Sequence, residues 1–279
     1  MILIVESGST KADWVLVNSN GSEIYFRTKG WNPLFLTEDE MLKRLNSYKD
    51  LSENKFSAVY FYTAGISHSS SRESLLKVLS TFFKKAKIHI ESDLLAAARA
   101  MFESKPQFIA ILGTGSNMAF FDGEELDQLT PSLGYILGDE ASGASLGKEL
   151  LRAYLYKSLP QDLYLKFSKD HSISIDLALQ SVYKEAHPNR FLASFVPFLV
   201  EHQSHPYVQK LVRKEFYSFL KIHVLSHPLH QDYCISFVGS VAFLFQDIMS
   251  DLCKQNKLQV AGFKQSPIQG LLSYHKANK

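Results

Sequence analysis

The sequence predicts an α/β protein of two domains, each built on a mixed sheet. Three observations carry that prediction. Short apolar runs alternate with helical patterns through the first half of the chain. A strand–turn–strand–hairpin unit at the N-terminus recurs after roughly a hundred residues, as an arrangement rather than as matching residues. At 279 residues and 46% hydrophobic content, the chain can bury the core of one large domain or two medium ones.

Each element has its own local signal. Met1–Val5 is a continuous apolar run, as in a strand covered on both faces. ESGSTK at 6–11 is a turn, and Asp13–Val17 resumes the strand pattern. Asn20-Gly21 predicts a two-residue hairpin, since both turn positions favour φ > 0, and Ser22–Thr28 returns. Glu38–Leu51 is helical in pattern, Ala58–Tyr62 is a strand with TAGIS at 63–67 as its turn, Ser71–Lys84 is a helix, and Ile88–Glu91 is a short strand. Ser92 can cap the helix Asp93–Glu103, whose LLAAARA stretch is a strong helix former.

The second unit begins with the apolar run Phe108–Leu112 and the turn GTGSN at 113–117. Met118–Phe121 resumes, Asp122-Gly123 predicts a second two-residue turn, and Glu124–Leu129 returns. After 138 the pattern is mostly helical, over 142–158, 173–186, 190–203 and 206–226. The strand Tyr233–Val238 runs through GSVA at 239–242 into a helix to Lys254, and a last strand spans Leu258–Gly262. Ser266 and Pro267 then suit the N-cap and first position of a final helix. A boundary within Ser104–Gln107 gives domains 1–105 and 106–279. With no long linker they are expected to pack closely, the last helix being a candidate to cross back to the first.

Charge and cysteine usage narrow the function. Thirty Lys and Arg against 28 Asp and Glu leave a net charge of +2, which argues against nucleic acid or an anionic membrane as the main partner. The densest basic stretch, Lys84, Lys85 and Lys87, reads as a solvated helix end. Cys234 and Cys253 form neither a disulfide scaffold nor a CxxC motif, so a reducing cytoplasm is the default. No apolar run approaches the roughly 18 residues of a membrane span. MILIVES, with no basic region before its apolar run, does not read as a signal peptide.

Two Gly/Ser/Thr turns after buried strands can together hold a polyphosphate. Small residues let backbone N–H groups approach phosphate oxygens, and hydroxyls add donors. Neither turn is a GxxxxGK[ST] loop or a GxGxxG fingerprint. Glu6, at a strand end beside the first turn, either holds Mg²⁺, directly or through water, or accepts backbone N–H bonds. Lys11 either touches phosphate or is solvated. Asp93 is either a plain first-turn acid or a general base for an acceptor hydroxyl at an interdomain cleft. Asp139 and Glu140, in GDEASG, are either first-turn acids or carboxylates that accept bonds from substrate hydroxyls. His223 and His227 stand at i, i+4, a spacing open to a metal and equally to surface helix positions, and no HExxH accompanies them. No GxSxG elbow suggests a Ser/His/Asp assignment.

These segments resemble the N-acetylglucosamine kinase and related ATPase family, within the superfamily of sugar kinases, heat-shock protein 70 and actin. ESGSTKADW is similar to its first phosphate motif, IESDLLAAARA to the segment of its catalytic Asp, and ILGTGSNMA to its second phosphate motif. LGYILGDEASGASLG is similar to its GDEGS helix start and FVGSVA to its adenosine motif. The five occur in the family's order across residues 2–242.

The resemblance implies two ribonuclease H-like (actin-like ATPase) domains with a cleft between them, the second helix-rich. It implies ATP and Mg²⁺ as cofactors, a small-molecule sugar as substrate and a homodimer. Glu6, Ser9, Thr10 and Lys11 would serve Mg²⁺ and the phosphates, Thr114 would contact ATP phosphate, and Gly239 and Ser240 would lie near adenosine. Asp93 would be the catalytic base. Asn32, Ser116, Asn117, Gly134 and Asp139 would line the sugar site. Two departures fall in that inferred sugar site. Pro131-Ser132-Leu133-Gly134 stands where family kinases usually show Gly-Gly-Trp-Gly, and Ala141 stands within GDEASG where they show Gly. The expected activity is phosphorylation of an amino sugar, N-acetylglucosamine or a relative. The alternatives are an ATPase that activates a partner protein, or a nucleotide or sugar sensor without turnover. Activators of the first kind use two cysteines to bridge an iron–sulfur cluster, and Cys234 and Cys253 do not fall in the matching part of the chain. Repressor-type sugar kinases carry a zinc site with several cysteines, more than two Cys can supply.

Overall fold

The computed structural model describes residues 1–48, 51 and 55–278. It divides into two compact units: Met1–Phe102 with Ser266–Lys279, and Glu103–Gln265.

The first unit holds the strands β1 (Ile2–Ser7), β2 (Lys11–Val17), β3 (Glu23–Lys29), β4 (Ala58–Thr63) and β5 (Lys87–Ser92). They form one sheet in the order β3-β2-β1-β4-β5. The first three strands are an antiparallel meander, while β4 and β5 run parallel to β1. The apolar run of β1 is continuous because both faces are covered. Leu3 and Val5 join Trp14, Trp31 and Phe61 on the face packed by the helices Glu38–Asn46 and Ser69–Phe82. Ile4 joins Val15 and Tyr62 on the other face, packed by the helices Asp93–Met101 and Ile268–Ala277. The last helix therefore completes the first sheet's core through Ile268, Leu271 and Leu272.

The second unit repeats the plan. Its strands are β6 (Gln107–Leu112), β7 (Ser116–Phe121), β8 (Leu126–Asp127), β9 (Ile235–Val238) and β10 (Val260–Lys264). Their order, β10-β9-β6-β7-β8, is the first sheet's order read from the other edge. Again an antiparallel meander leads, and two later strands add in parallel. The repeated arrangement seen in the sequence is thus a repeated topology. Between β8 and β9 lies a helical stretch that makes this unit helix-rich, and it includes a helix Gln161–His171 that the pattern did not predict. Only Leu163 and Phe167 of that helix are buried, one i, i+4 pair, which is a faint amphipathic signal.

Several boundaries differ from expectation for identifiable reasons. The first hairpin loop spans five residues, 18–22, not two, because Val17 pairs with Glu23. The second spans 122–125, since Phe121 pairs with Leu126, and Asp122 Oδ1 accepts from the N–H groups of Glu124 and Glu125. Side-chain-capped turns of this kind outcompete the tighter turn. The first helix ends at Asn46, while 49 and 50 of its expected span lie outside the described residues. The expected helix 190–203 is two, Pro188–Ala193 and Val196–Glu201, with Pro197 at the start of the second. The expected helix after GSVA is likewise two, Ser240–Leu244 and Gln246–Gln255, broken at Phe245. The final helix starts at Ile268, one residue later than expected. There Ser266 Oγ accepts from the Ile268 N–H at 3.4 Å.

Candidate active site

In the first unit the end of β1 and its neighbours assemble the candidate residues. Strand register places Arg27, Asp13, Glu6, Tyr62 and Glu91 in one row across the sheet. Asp13 is buried and bonded twice, accepting from Arg27 Nε at 2.5 Å and from Ser266 Oγ at 2.9 Å. Among the described residues no side chain donates a hydrogen bond to the Glu6 carboxylate. Burial among protein atoms pushes its pKa up to about 8. The charges of Asp13 and then Asp93 add to this, against Lys11 and Arg27.

Asp93 begins the helix Asp93–Met101. Ser92 caps that helix as predicted, its Oγ accepting from Leu95 N at 3.1 Å. Asp93 Oδ1 accepts from the Leu94 N–H at 2.9 Å and the residue is partly exposed. Its charge adds to the rise in the Glu6 pKa, after burial and the charge of Asp13.

The turn at 8–11 is held from behind. Gly8 N donates to Lys11 O at 3.0 Å, and Gly30 N donates to Thr10 O at 2.9 Å. Thr10 is exposed at its tip and Ser9 partly so. Asn32 lies under the turn, 4% exposed, donating to Ser9 Oγ at 3.2 Å and accepting from Leu34 N at 3.0 Å. One N–H and one lone pair of its amide are left for other partners. Gly30 presses against the turn: a Cβ there would lie 2.3 Å from Gly8 O and 2.6 Å from the Ser9 carbonyl carbon. Gly30→Ala is therefore expected to push the turn outward. The expected loss is about 1–3 kcal/mol of stability by urea denaturation. Wild-type stability in this variant would overturn the close packing of Gly30 on the turn.

In the second unit three segments converge on the turn at 113–115. Gly143 N donates to Gly113 O at 2.7 Å and Ala144 N to Thr114 O at 3.1 Å, so the first turn of the helix Gly143–Leu155 holds the loop. Gly239, at φ +117, follows β9 so closely that a Cβ would lie 2.3 Å from Leu112 O. Only glycine meets both demands there. Ser240 follows it as the first residue of the helix Ser240–Leu244. Asp139 Oδ1 accepts from Ser116 N at 3.3 Å. Burial raises the Asp139 pKa, Glu140's charge adds, and the Ser116 N–H opposes.

Asp139 and Glu140 are not first-turn acids of a helix. Helical structure begins at Gly143, and Asp139 and Ala141 sit at φ +58 and +61, on either side of Glu140. Two other candidates stand apart. Asn117 Oδ1 accepts from Gln128 Nε2 at 2.6 Å, along the β7 edge. Gly134 opens the short helix Gly134–Leu137 at φ +72, with nothing near its Cβ position.

The remaining motifs resolve as packing. His227 is buried against Phe108 and Phe120 and accepts from Leu229 N at 3.2 Å. His223 is buried as well, and its ring nitrogens meet Thr130 and Glu140. Neither is a surface helix position. No group of three or more His, Cys, Asp or Glu close enough to hold a metal occurs among the described residues. Cys253 is buried, its thiol pKa pushed up to about 12, and Cys234 is half-buried rather than enclosed. No helix among the described residues is long and apolar enough to cross a membrane. The sequence reading missed Gly30, Asp13 and the partners of His223. Asp13 and Arg27 left a faint signal, facing positions of a hairpin with opposite charge.

Comparison with known proteins places the chain. No protein-family model matches it, and no curated protein matches it. Among solved structures, it is 37% identical to the putative N-acetylglucosamine kinase of Porphyromonas gingivalis. That match has a TM-score of 0.92 and covers 100% of this chain and 99% of the other. The putative N-acetylglucosamine kinase of Chromobacterium violaceum shares the fold at 17% identity and a TM-score of 0.73, over 98% of each chain. So does a ROK family glucokinase from Streptomyces griseus, solved with glucose and AMPPNP. It is 12% identical, with a TM-score of 0.55, over 99% of this chain and 98% of that one. Whole-length identity to the first and the duplicated sheet topology lead to one conclusion: the chain belongs to the N-acetylglucosamine kinase-like family of the sugar-kinase and actin-like ATPase superfamily.

Proposed function

We propose that this protein is an ATP-dependent kinase that phosphorylates a hydroxyl of an amino sugar, N-acetylglucosamine or a close relative. The observation that carries the reading is the duplicated strand–turn–strand device. Each unit presents a hydroxyl-bearing turn after its central strand, held by backbone bonds from neighbouring segments. The related protein's name supports the sugar class.

In this reading Ser9, Thr10 and Lys11 from one turn and Thr114 from the other take the phosphates. Gly239 and Ser240 lie near adenosine, where the missing Cβ admits close approach. Asp93 accepts the proton of the sugar hydroxyl, and Asn32, Ser116, Asn117, Gly134 and Asp139 line the sugar. Phosphoryl transfer asks chiefly for in-line positioning and charge neutralisation, so these residues bind and orient more than they react.

The Glu6 region fits Mg²⁺. Its donors are hard carboxylate oxygens, and like charges around Glu6 favour a cation beside it. In this reading Glu6 would hold the ion directly or through a water, with phosphate and water as its other ligands. When bound, it would neutralise phosphate charge. The reading extends to a cytoplasmic homodimer. The exposed apolar side chains Ile175, Leu179 and Tyr183 share one face of the helix Ile175–Tyr183, where a second copy would seat.

The test is ADP release with Mg-ATP and N-acetylglucosamine, glucosamine, N-acetylmannosamine, N-acetylmuramic acid, glucose or no sugar. Release that requires one sugar supports the kinase and names its acceptor. Release indifferent to every sugar overturns it in favour of an ATPase that drives a partner. Bound ATP without release favours a sensor. The panel matters because Leu129, Leu133, Ile136 and Leu137, around the segment that departs from the family pattern, are all exposed.

A further inference from the structure

We propose that Glu140 is a sugar-binding carboxylate and that His223 is the residue that positions it; the inference rests on the kinase reading above. A line of hydrogen bonds carries it. Thr130 Oγ1 lies 2.7 Å from His223 Nδ1, and His223 Nε2 lies 3.1 Å from Glu140 Oε2. A carboxylate oxygen can accept from an Nε2–H, and in that tautomer Nδ1 accepts from the Thr130 hydroxyl, so the two contacts are compatible with one ring. His223 is 8% exposed and its ring lies against Phe219, 4.9 Å between centroids. The Glu140 side chain keeps 22% of its surface open.

The backbone is arranged around this contact from both sides. The helix Pro206–Phe219 passes into a π-turn over Leu220–Val224, closed by a Leu225 N–H bond to Leu220 O at 2.8 Å. A π-turn adds a residue to one turn and so rotates the later side chains by about 100° around the helix axis. His223 sits inside that turn and is buried. On the other side, Glu140 is flanked by two non-glycine residues in the left-handed region, Asp139 and Ala141. Such strain persists where surrounding structure imposes it, and it clusters at ligand sites.

The two neighbouring acids make different contacts. Asp139, which lines the sugar in the proposed function, also accepts from Ser116 N through Oδ1. Glu140, with one oxygen bound to His223, has its second oxygen left to accept from sugar hydroxyls. Ser116 adds a buried hydroxyl, 8% exposed, with no hydrogen-bond partner. That is a polar group of the kind a bound ligand satisfies.

The test uses the full chain, Mg-ATP and the sugar that the panel identifies. His223→Ala is expected to raise the sugar KM on the order of tenfold, with a much smaller fall in kcat and no change in the ATP KM. Glu140→Gln is expected to do the same, and the double variant to add little to either. Thr130→Val gives a smaller rise, and Thr130→Ser, which keeps the hydroxyl, restores sugar affinity relative to it. These Thr130 variants keep the inference testable if His223→Ala fails to fold. An unchanged sugar KM in folded His223→Ala, or a fall in kcat and stability alone, overturns the positioning role and leaves the kinase reading standing. Wild-type protein that neither turns over nor binds any sugar overturns both.

Discussion

Asp93→Asn is expected to lower kcat by about 10²–10⁴-fold with little change in either KM. Asparagine keeps the shape of the side chain, and its amide oxygen can still accept from the Leu94 N–H that Asp93 Oδ1 now takes. Ser92 caps the helix independently, so the helix start persists. The variant loses the base and one negative charge. Loss of a first-turn carboxylate costs about 0.5 kcal/mol of helix-dipole stabilisation, and relief of repulsion on Glu6 offsets part of that. The melting temperature should therefore hold while turnover collapses. ADP release at saturating sugar and ATP, alongside a thermal melt, separates the two effects. A variant that keeps wild-type kcat would move the base to another residue.

Glu6 is expected to make the ligand-free protein less stable as pH rises from about 4.5 to about 8. The sign follows from the raised pKa. Between those values the unfolded chain has lost the Glu6 proton and the folded chain still holds it. Each step up in pH then favours the unfolded state, and the loss is complete above the folded pKa. Allowing for partial exposure, the full effect is on the order of 3 kcal/mol. His275 acts in the opposite sense. Burial first, and the nearby Arg99 charge, push its pKa down to about 4, so it adds stability as pH rises toward the ordinary histidine range. The decisive quantity is thus the difference between wild type and Glu6→Gln across the pH range. That difference should grow toward pH 8, with Glu6→Gln the more stable. In the proposed function Mg-nucleotide favours the ionised carboxylate and shrinks the difference. Parallel stability curves for the two proteins would overturn this account.

The sequence by itself determined the elements that rest on local chemistry. Continuous apolar runs marked β1 and β6, because strands covered on both faces need no alternation. The order of Gly/Ser/Thr turns after those runs marked a duplicated plan, and the two sheets share one strand order. Ser92 and the alanine-rich stretch marked the helix that carries Asp93, since caps and propensities act within one turn.

Only the tertiary structure decided which distant groups meet. That Gly30 presses on Ser9, and Gly239 on Leu112, depends on how closely separate segments pack. That the last helix completes the first sheet's core depends on a return of the chain from more than 160 residues away, from Phe102 to Ser266. Asp139 and Glu140 looked like a helix start, because acids there are favoured by the dipole wherever a helix comes next. Instead Asp139 and Ala141 take left-handed backbone on either side of Glu140, and the two acids meet β7 and the π-turn, contacts that no local pattern encodes. His223 shows the limit most plainly. Its spacing to His227 is that of a helix face, yet one added residue in the π-turn, together with Thr130 and Glu140, gives it different neighbours.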